Sequence, residues 1–292
     1  MAYSPGVPAP VFHRVVVGID GQPGGRDAIA LAGVLATPDA VTSLVTVFQL
    51  TPGGIVRQQV GQEDATDEAK AHALLEAERN AAGSAAGLIV ERAGSVGRGL
   101  HDVAQRVGAD LLVVGSSRRA FPGRVLGGDE ARAVLHGTPC AVAIAPHQYA
   151  ETDRQLRTIG VGYNATPDSE AALAVARRLA AAHGARVRAL AVVEMPNAPY
   201  GFGAGLILRD VLEDMLAAQR RQMAELEDVD GAATVGLAGE ELSAFSGDVD
   251  LLVAGSRGYG PARSVIVGST SGHLADHARC PLLVVPHALD SG

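Results

Sequence analysis

The chain contains no tryptophan, one lysine (Lys70), two cysteines, five Phe and five Tyr. A single lysine leaves little room for lysine-based catalysis. Two cysteines make no disulfide framework. Cys140 and Cys280 precede the apolar runs CAVAIAP and CPLLVVP and read as buried hydrophobes in a reducing cytosol. A bridge between them would need close Cα atoms, which spacing cannot show. No apolar run approaches the length of a membrane span. Met1 to Pro10 has neither a basic nor an apolar leader segment, so a short flexible lead without a signal peptide is expected, in a cytoplasmic protein. Net charge is −8 and the basic residues are scattered, which argues against nucleic acid as partner.

What is abundant is apolar aliphatic sequence: 47% of 292 residues are hydrophobic, enough for two ordinary domains, each with a buried core. The two halves repeat. GADLLVVGSS at 108 matches DVDLLVAGSR at 248, Cys140–Pro146 matches Cys280–Pro286, VVVGID ending at Asp20 matches IGVGYN ending at Asn164, and Thr46-Val47 matches Val192-Val193. A period of one whole domain is a tandem, not a solenoid. Expected boundaries are a lead at 1–12, a first domain at 13–147, a polar linker at 148–155 and a second domain at 156–288.

Each half alternates short, β-branched apolar runs with amphipathic helical patterns. Strands are expected near 14–19, 41–48, 87–92, 110–115 and 140–145, and near 157–162, 186–193, 232–237, 250–255 and 281–285. Helices are expected near 26–36, 66–83, 99–107 and 129–137, and near 168–183, 206–227, 239–246 and 269–278. This alternation predicts two doubly wound α/β domains, each a parallel sheet with helices on both faces. Ligands of such sheets sit beyond the C-terminal strand edges. The Gly/Pro/Gln-rich stretches 49–65 and 195–205 read as irregular loops.

The clearest chemical motif follows the fourth strand of the second half: Gly255-Ser256-Arg257-Gly258, nine residues, then Gly268-Ser269-Thr270. Gly255 is read as allowing a sharp turn off the strand. Gly258 and Gly268 leave room for a ligand against the backbone, and amides there can form an anion nest. Ser269 and Thr270 open the next helix, whose N-terminal amides and dipole favour phosphate. The plainer alternative is a Gly-rich turn with a Ser/Thr helix cap.

The pattern G-x2-G-x9-G-[S/T], followed by a helix and HARCPLLVVP from His277, resembles the ATP-binding group of universal stress proteins. The resemblance covers both halves. It implies five-stranded parallel sheets of the adenine nucleotide alpha hydrolase-like type, and a pseudo-two-fold pairing of the two halves through their last strands. It also allows a homodimer. In ATP-binding members the loop holds phosphates and ribose, while residues ending the first two strands meet ribose and adenine; here those are Asn164 and Val193. The expected site is therefore Asn164, Val193, Gly255, Ser256, Gly258, Gly268, Ser269 and Thr270, with ATP, alone or with Mg2+, as ligand and AMP or cyclic AMP as alternatives. The family usually has Asp where Asn164 stands; Asn keeps an acceptor but loses the charge. The loop after the third strand also reads as shorter in the second half.

The first half departs further. Its corresponding positions are Asp20, Val47, Gly115, Arg118, Gly128 and Asp129. Arg118 stands in place of Gly258 and Asp129 in place of Ser269. A carboxylate at a helix N-terminus gains about 0.3–1 kcal/mol from the amides that phosphate would use, so Asp129 competes with that ligand. Arg118, Arg119 or Arg124 can pair with Asp129 or Glu130 and fill the pocket. Asp20 also suits a cap for the turn GQPGG.

No G-x-x-x-x-G-K-[S/T] loop and no G-x-S-x-G elbow is present. His273 and His277 share a helical face, but nothing completes a metal set with them, so neither a metal site nor a catalytic set is expected. Three functions remain: a nucleotide-binding stress or regulatory protein, a non-nucleotide interaction scaffold, and a slow ATPase, for which no general base is identifiable.

Overall fold

The computed structural model describes residues 11–49, 60–116, 122–125, 128–194, 204–256 and 268–286. The Gly/Pro-rich stretches after the second strand of each half, the lead, Arg118, Arg119 and Gly258 lie wholly or largely outside those residues. Where these stretches are described, residues 60–65 and 204–205 are helical rather than irregular.

The first half runs β1 (Phe12–Gly18), α1 (Pro23–Leu35), β2 (Ala36–Gln49), α2 (Val60–Ala81), β3 (Gly87–Ala93), α3 (Val96–Val107), β4 (Leu111–Gly115), α4 (Gly128–Leu135) and β5 (Ala141–Ala145). The second runs β6 (Thr158–Gly162), α5 (Pro167–His183), β7 (Arg186–Val193), α6 (Ala204–Ala224), β8 (Val229–Val235), α7 (Ala238–Phe245), β9 (Leu251–Gly255), α8 (Ser269–His277) and β10 (Leu282–Val285). The strands form one ten-stranded sheet in the order β3-β2-β1-β4-β5-β10-β9-β6-β7-β8. Within each half all pairs are parallel; β5 and β10 meet antiparallel, with Ala143 opposite Leu283. Each half therefore keeps the doubly wound order, and the halves join as a pseudo-two-fold through their last strands.

Period-two alternation explains the packing. Leu111, Val113, Leu251 and Val253 face a layer with α1 and α5. Leu112, Val114, Leu252 and Ala254 face the opposite layer, which holds buried residues of α3, α4, α7 and α8. Both layers run without a break across the junction. Residues apolar on both faces of a strand are what a sheet covered twice requires.

One local feature departs from the sequence reading. The second half is not shortened in the loop after its third strand: Gly94-Ser95 and Gly236-Leu237 are both two-residue connections. The helix is shorter instead, α3 having 12 residues and α7 eight before a 3-10 turn at Ser246–Asp248. Cys140 and Cys280 are free and buried. Because β5 and β10 run antiparallel, with Leu282 opposite Ile144, the two cysteines lie at opposite ends of the pair and cannot be bridged. Burial pushes the Cys140 thiol up to about 12 and the Cys280 thiol higher still.

The Asp of each DLLV motif also has a role that the repeat alone did not explain. The Asp110 carboxylate accepts from the amides of His13 and Arg14 at 2.8 and 3.0 Å. Asp250 accepts from Arg157 and Thr158, both at 2.8 Å. Each acid pins the start of its half's first strand beside the fourth.

The stretch between the halves is held rather than slack. It contains a 3-10 turn at Tyr149–Glu151. Asp27, on α1 and 2% exposed, accepts from the amides of Gln148 at 2.9 Å and Ala150 at 2.8 Å. Burial raises its carboxyl above the ordinary value, and the two amides pull it part of the way back. His183 at the end of α5 bonds the carbonyl of Val34 in α1 at 3.0 Å, so the paired helices also touch directly. Removing the Asp27 carboxylate would strand two amides at this junction. Asp27→Ala is therefore expected to lower unfolding free energy by about 2 kcal/mol, read from the midpoint of a urea titration.

Candidate functional site

In the second domain, β6 lies between β7 and β9, with Gly162 level with Leu190 and Val161 level with Val253. The chain leaves β6 for α5 on one face and leaves β9 for α8 on the other. This is the switch point of a doubly wound sheet, where the C-terminal strand ends open a crevice. Gly255 and Val193 end strands there, and Asn164 lies two residues beyond the end of β6. Because α8 connects parallel strands β9 and β10, it runs against them and starts at this same edge.

The turn from β6 into α5 is tightly specified. Ala165 has φ +55, in the left-handed region. The Asn164 side-chain oxygen accepts from the Thr166 hydroxyl at 2.7 Å and the Thr166 amide at 3.4 Å. Thr166 and Ser169 form a reciprocal capping box on α5, with Pro167 in its first turn. Tyr163 is buried and donates to Glu170; burial and that bond push its hydroxyl up to about 12. Asn164 is thus a turn-forming residue whose oxygen is committed to Thr166. Its amide NH2 has no partner among the described residues. Asp20 does the same in the first domain, accepting from the Gln22 amide at 2.9 Å.

Gly255 is required for a different reason from the one its position in the motif suggested. Its φ is not positive. A Cβ built on it would lie 2.5 Å from the Asp168 carbonyl oxygen and 2.8 Å from the Asp168 Cβ. The missing side chain lets the first turn of α5 sit directly on the end of β9. Gly115 makes the same approach to Gly24, with 2.0 Å to the Gly24 oxygen. Next to it, Ser256 is 3% exposed and its amide donates to the Val285 carbonyl at 2.9 Å, closing β9 against β10.

Gly268 is the N-cap of α8, buried, with extended backbone and no side chain to cap the helix. Its own amide donates to Ser271 Oγ at 2.9 Å. Ser269 is exposed and Thr270 partly so. No acidic residue stands in the first turn. In the first domain, α4 opens with Gly128-Asp129-Glu130, an acid at each of its second and third positions. Val193 is 6% exposed at the end of β7. Its counterpart Val47 packs under α3, where a Cβ on Gly99 would lie 2.6 Å from it.

His273 and His277 stack with ring centroids 4.1 Å apart. His277 Nδ1 lies 2.9 Å from the His273 carbonyl oxygen. Burial, then the neighbouring His277, holds His273 below the usual histidine range. No group of three or more His, Cys, Asp or Glu side chains suited to a metal occurs among the described residues. Asp276 pairs with Arg132 of α4 across the domain junction, which sequence adjacency to the histidines did not reveal. No described helix is long and apolar enough to cross a membrane.

Two tandem doubly wound domains, joined antiparallel through their last strands, define a class of tandem α/β protein. Comparison with known proteins narrows it. The universal stress protein family model matches residues 12–146 and again 155–286, and the chain belongs to that family. A universal stress protein of Mycobacterium tuberculosis is 29% identical over 202 residues, covering 66% of this chain and 69% of that protein. A solved universal stress protein of Archaeoglobus fulgidus superposes with a TM-score of 0.64 at 18% identity, covering 94% of this chain and 96% of its own. A functionally unknown protein of Pseudomonas aeruginosa superposes at 0.57 and 13% identity, covering 95% and 94%.

The left-handed Ala165 occupies the position of Gly21, whose φ is +75. A non-glycine residue there costs about 1–2 kcal/mol, against a glycine entropy cost of about 0.5–1 kcal/mol. Ala165→Gly is expected to raise the thermal midpoint by about 1–3 °C, measured by circular dichroism.

Proposed function

We propose that the second domain binds ATP or another adenine nucleotide and that the chain is a nucleotide-responsive regulatory protein. The observation that carries this reading is the start of α8. Its amides open at the C-terminal edge of the sheet behind a glycine N-cap, with no carboxylate in the first turn. Such an end has about 0.3–1 kcal/mol of dipole stabilisation to offer an anion, besides its backbone amide donors. Ser269 and Thr270 add hydroxyls at the same place. Val193, apolar and at the end of β7, suits contact with a base, and the Asn164 NH2 suits a polar contact beside it. Gly258 belongs to the same connection by its spacing.

The first domain is proposed not to bind nucleotide. Its acids at 129 and 130 occupy the positions from which phosphate would draw the same helix-end stabilisation. No general base is assigned in either domain, so binding rather than turnover is the activity proposed.

Calorimetric titration of ATP with Mg2+ into nucleotide-stripped protein is expected to give one ATP per chain. Two per chain would remove the claim about the first domain, and none would move the reading to an interaction scaffold. Gly258→Arg, which copies the first domain, is expected to weaken ATP affinity by tenfold or more, about 1.4 kcal/mol, in the same titration.

A further inference from the structure

The interior of α1 carries a glycine that neither its backbone nor its packing requires. Gly33 has no positive φ, and a Cβ built on it would meet nothing within 4 Å. A glycine inside a helix costs stability relative to alanine. Gly24 in the same helix is different, since a Cβ there would lie 2.8 Å from the Ser116 carbonyl oxygen. The space beside Gly33 belongs to a cavity of about 640 Å³ between α1, the end of α2 and the stretch that joins the halves, a size suited to a small organic molecule. Val17, Ile29 and Val34 supply its apolar lining. In the second domain the matching position, ten residues after the proline that opens the helix, is Arg177. Its guanidinium donates to the Glu227 carbonyl at 2.8 Å, just past the end of α6. An arginine there bridges the gap that glycine leaves open in the first domain.

The polar lining is cationic. Arg26, Arg154, Thr42 and Ser84 border the cavity, and no acidic residue among the described residues does. Arg26 is paired with Glu78 at 3.0 Å. Arg154 is exposed and forms no hydrogen bond or ion pair among the described residues; the acid beside it, Asp153, is engaged with Arg157 at 2.6 Å. Ser84 Oγ accepts from the Ala86 amide at 3.1 Å, which leaves its proton to donate. We propose that this cavity binds a small organic carboxylate with an apolar body, the carboxylate held by Arg154 and the body lying beside Gly33 against Ile29 and Val34. A guanidinium matches a carboxylate with two parallel N–H donors. The body contributes through the apolar area it removes from water. None of the lining residues belongs to the connections after β4 or β9, so the site stands apart from the nucleotide reading. Ala150 also borders the cavity and is held on α1 by Asp27, so an occupant rests on the junction between the halves.

Octanoate serves as the probe in calorimetric titration of the full chain, beside octanol, which keeps the chain without the charge, and acetate, which keeps the charge without the chain. Octanoate is expected to bind at one site per chain, and the other two about tenfold more weakly or worse. Arg154→Gln is expected to weaken octanoate by about tenfold, with an unchanged circular dichroism spectrum because the side chain is exposed. Gly33→Leu fills the cavity and removes a helix glycine. It is expected to raise the thermal midpoint by about 1–3 °C while abolishing octanoate binding, and a gain in stability with a loss of binding cannot come from misfolding. Octanoate binding that is absent in wild type, or unchanged in either variant, overturns the site. Octanol binding as tightly as octanoate overturns the assignment of an anion.

Discussion

The antiparallel meeting of β5 and β10 is the constraint on which the rest of the structure depends. It converts two five-stranded sheets, each with an exposed edge, into a single sheet whose last strands are both buried. The strands at that seam are only five and four residues long, so their stability comes mainly from what covers them. Ala141, Ala143 and Ala145 leave room for helices on one face, while Val142 and Ile144 fill the other. Because each core layer passes through the seam, neither half keeps a complete core without the other. The Arg132–Asp276 pair and the Val125 amide, which donates to the Ala278 carbonyl at 2.8 Å, close the helical layer above it.

Much of this architecture was legible in the sequence because it obeys short-range rules. Strands such as LLVVG and LLVAG are apolar at every position, and that pattern alone predicts burial on both faces. The repeat then supplies the second domain from the first. Less legible were groups whose role depends on a distant neighbour. Asp27 reads as a helix residue, yet it shares the 24, 27, 28, 31, 35 stripe with buried apolar residues. An acid on a core stripe was the available signal that it binds backbone elsewhere. Asp110 and Asp250 showed only as repeat landmarks, since nothing local says that they hold amides nearly a hundred residues away.

At the candidate site the same limit applies at finer scale. Glycine spacing located the strand-to-helix connection, read as a sharp turn at Gly255; the backbone there is not left-handed, and the missing side chain serves close packing of α5 on β9. Both readings demand glycine, so sequence could not separate them. Asn164 looked like a ligand contact and is first a turn-former, with its oxygen taken by Thr166.

The opposed direction of β5 and β10 has a further consequence. Since all strands of one domain run against all strands of the other, their C-terminal edges open on opposite sides of the sheet. The two switch-point crevices therefore face away from each other, and no small ligand can span them. A change in one crevice leaves the other geometrically untouched, so the two copies can differ without a steric conflict. Any communication between them has to travel through the shared central strands, not across a common cleft.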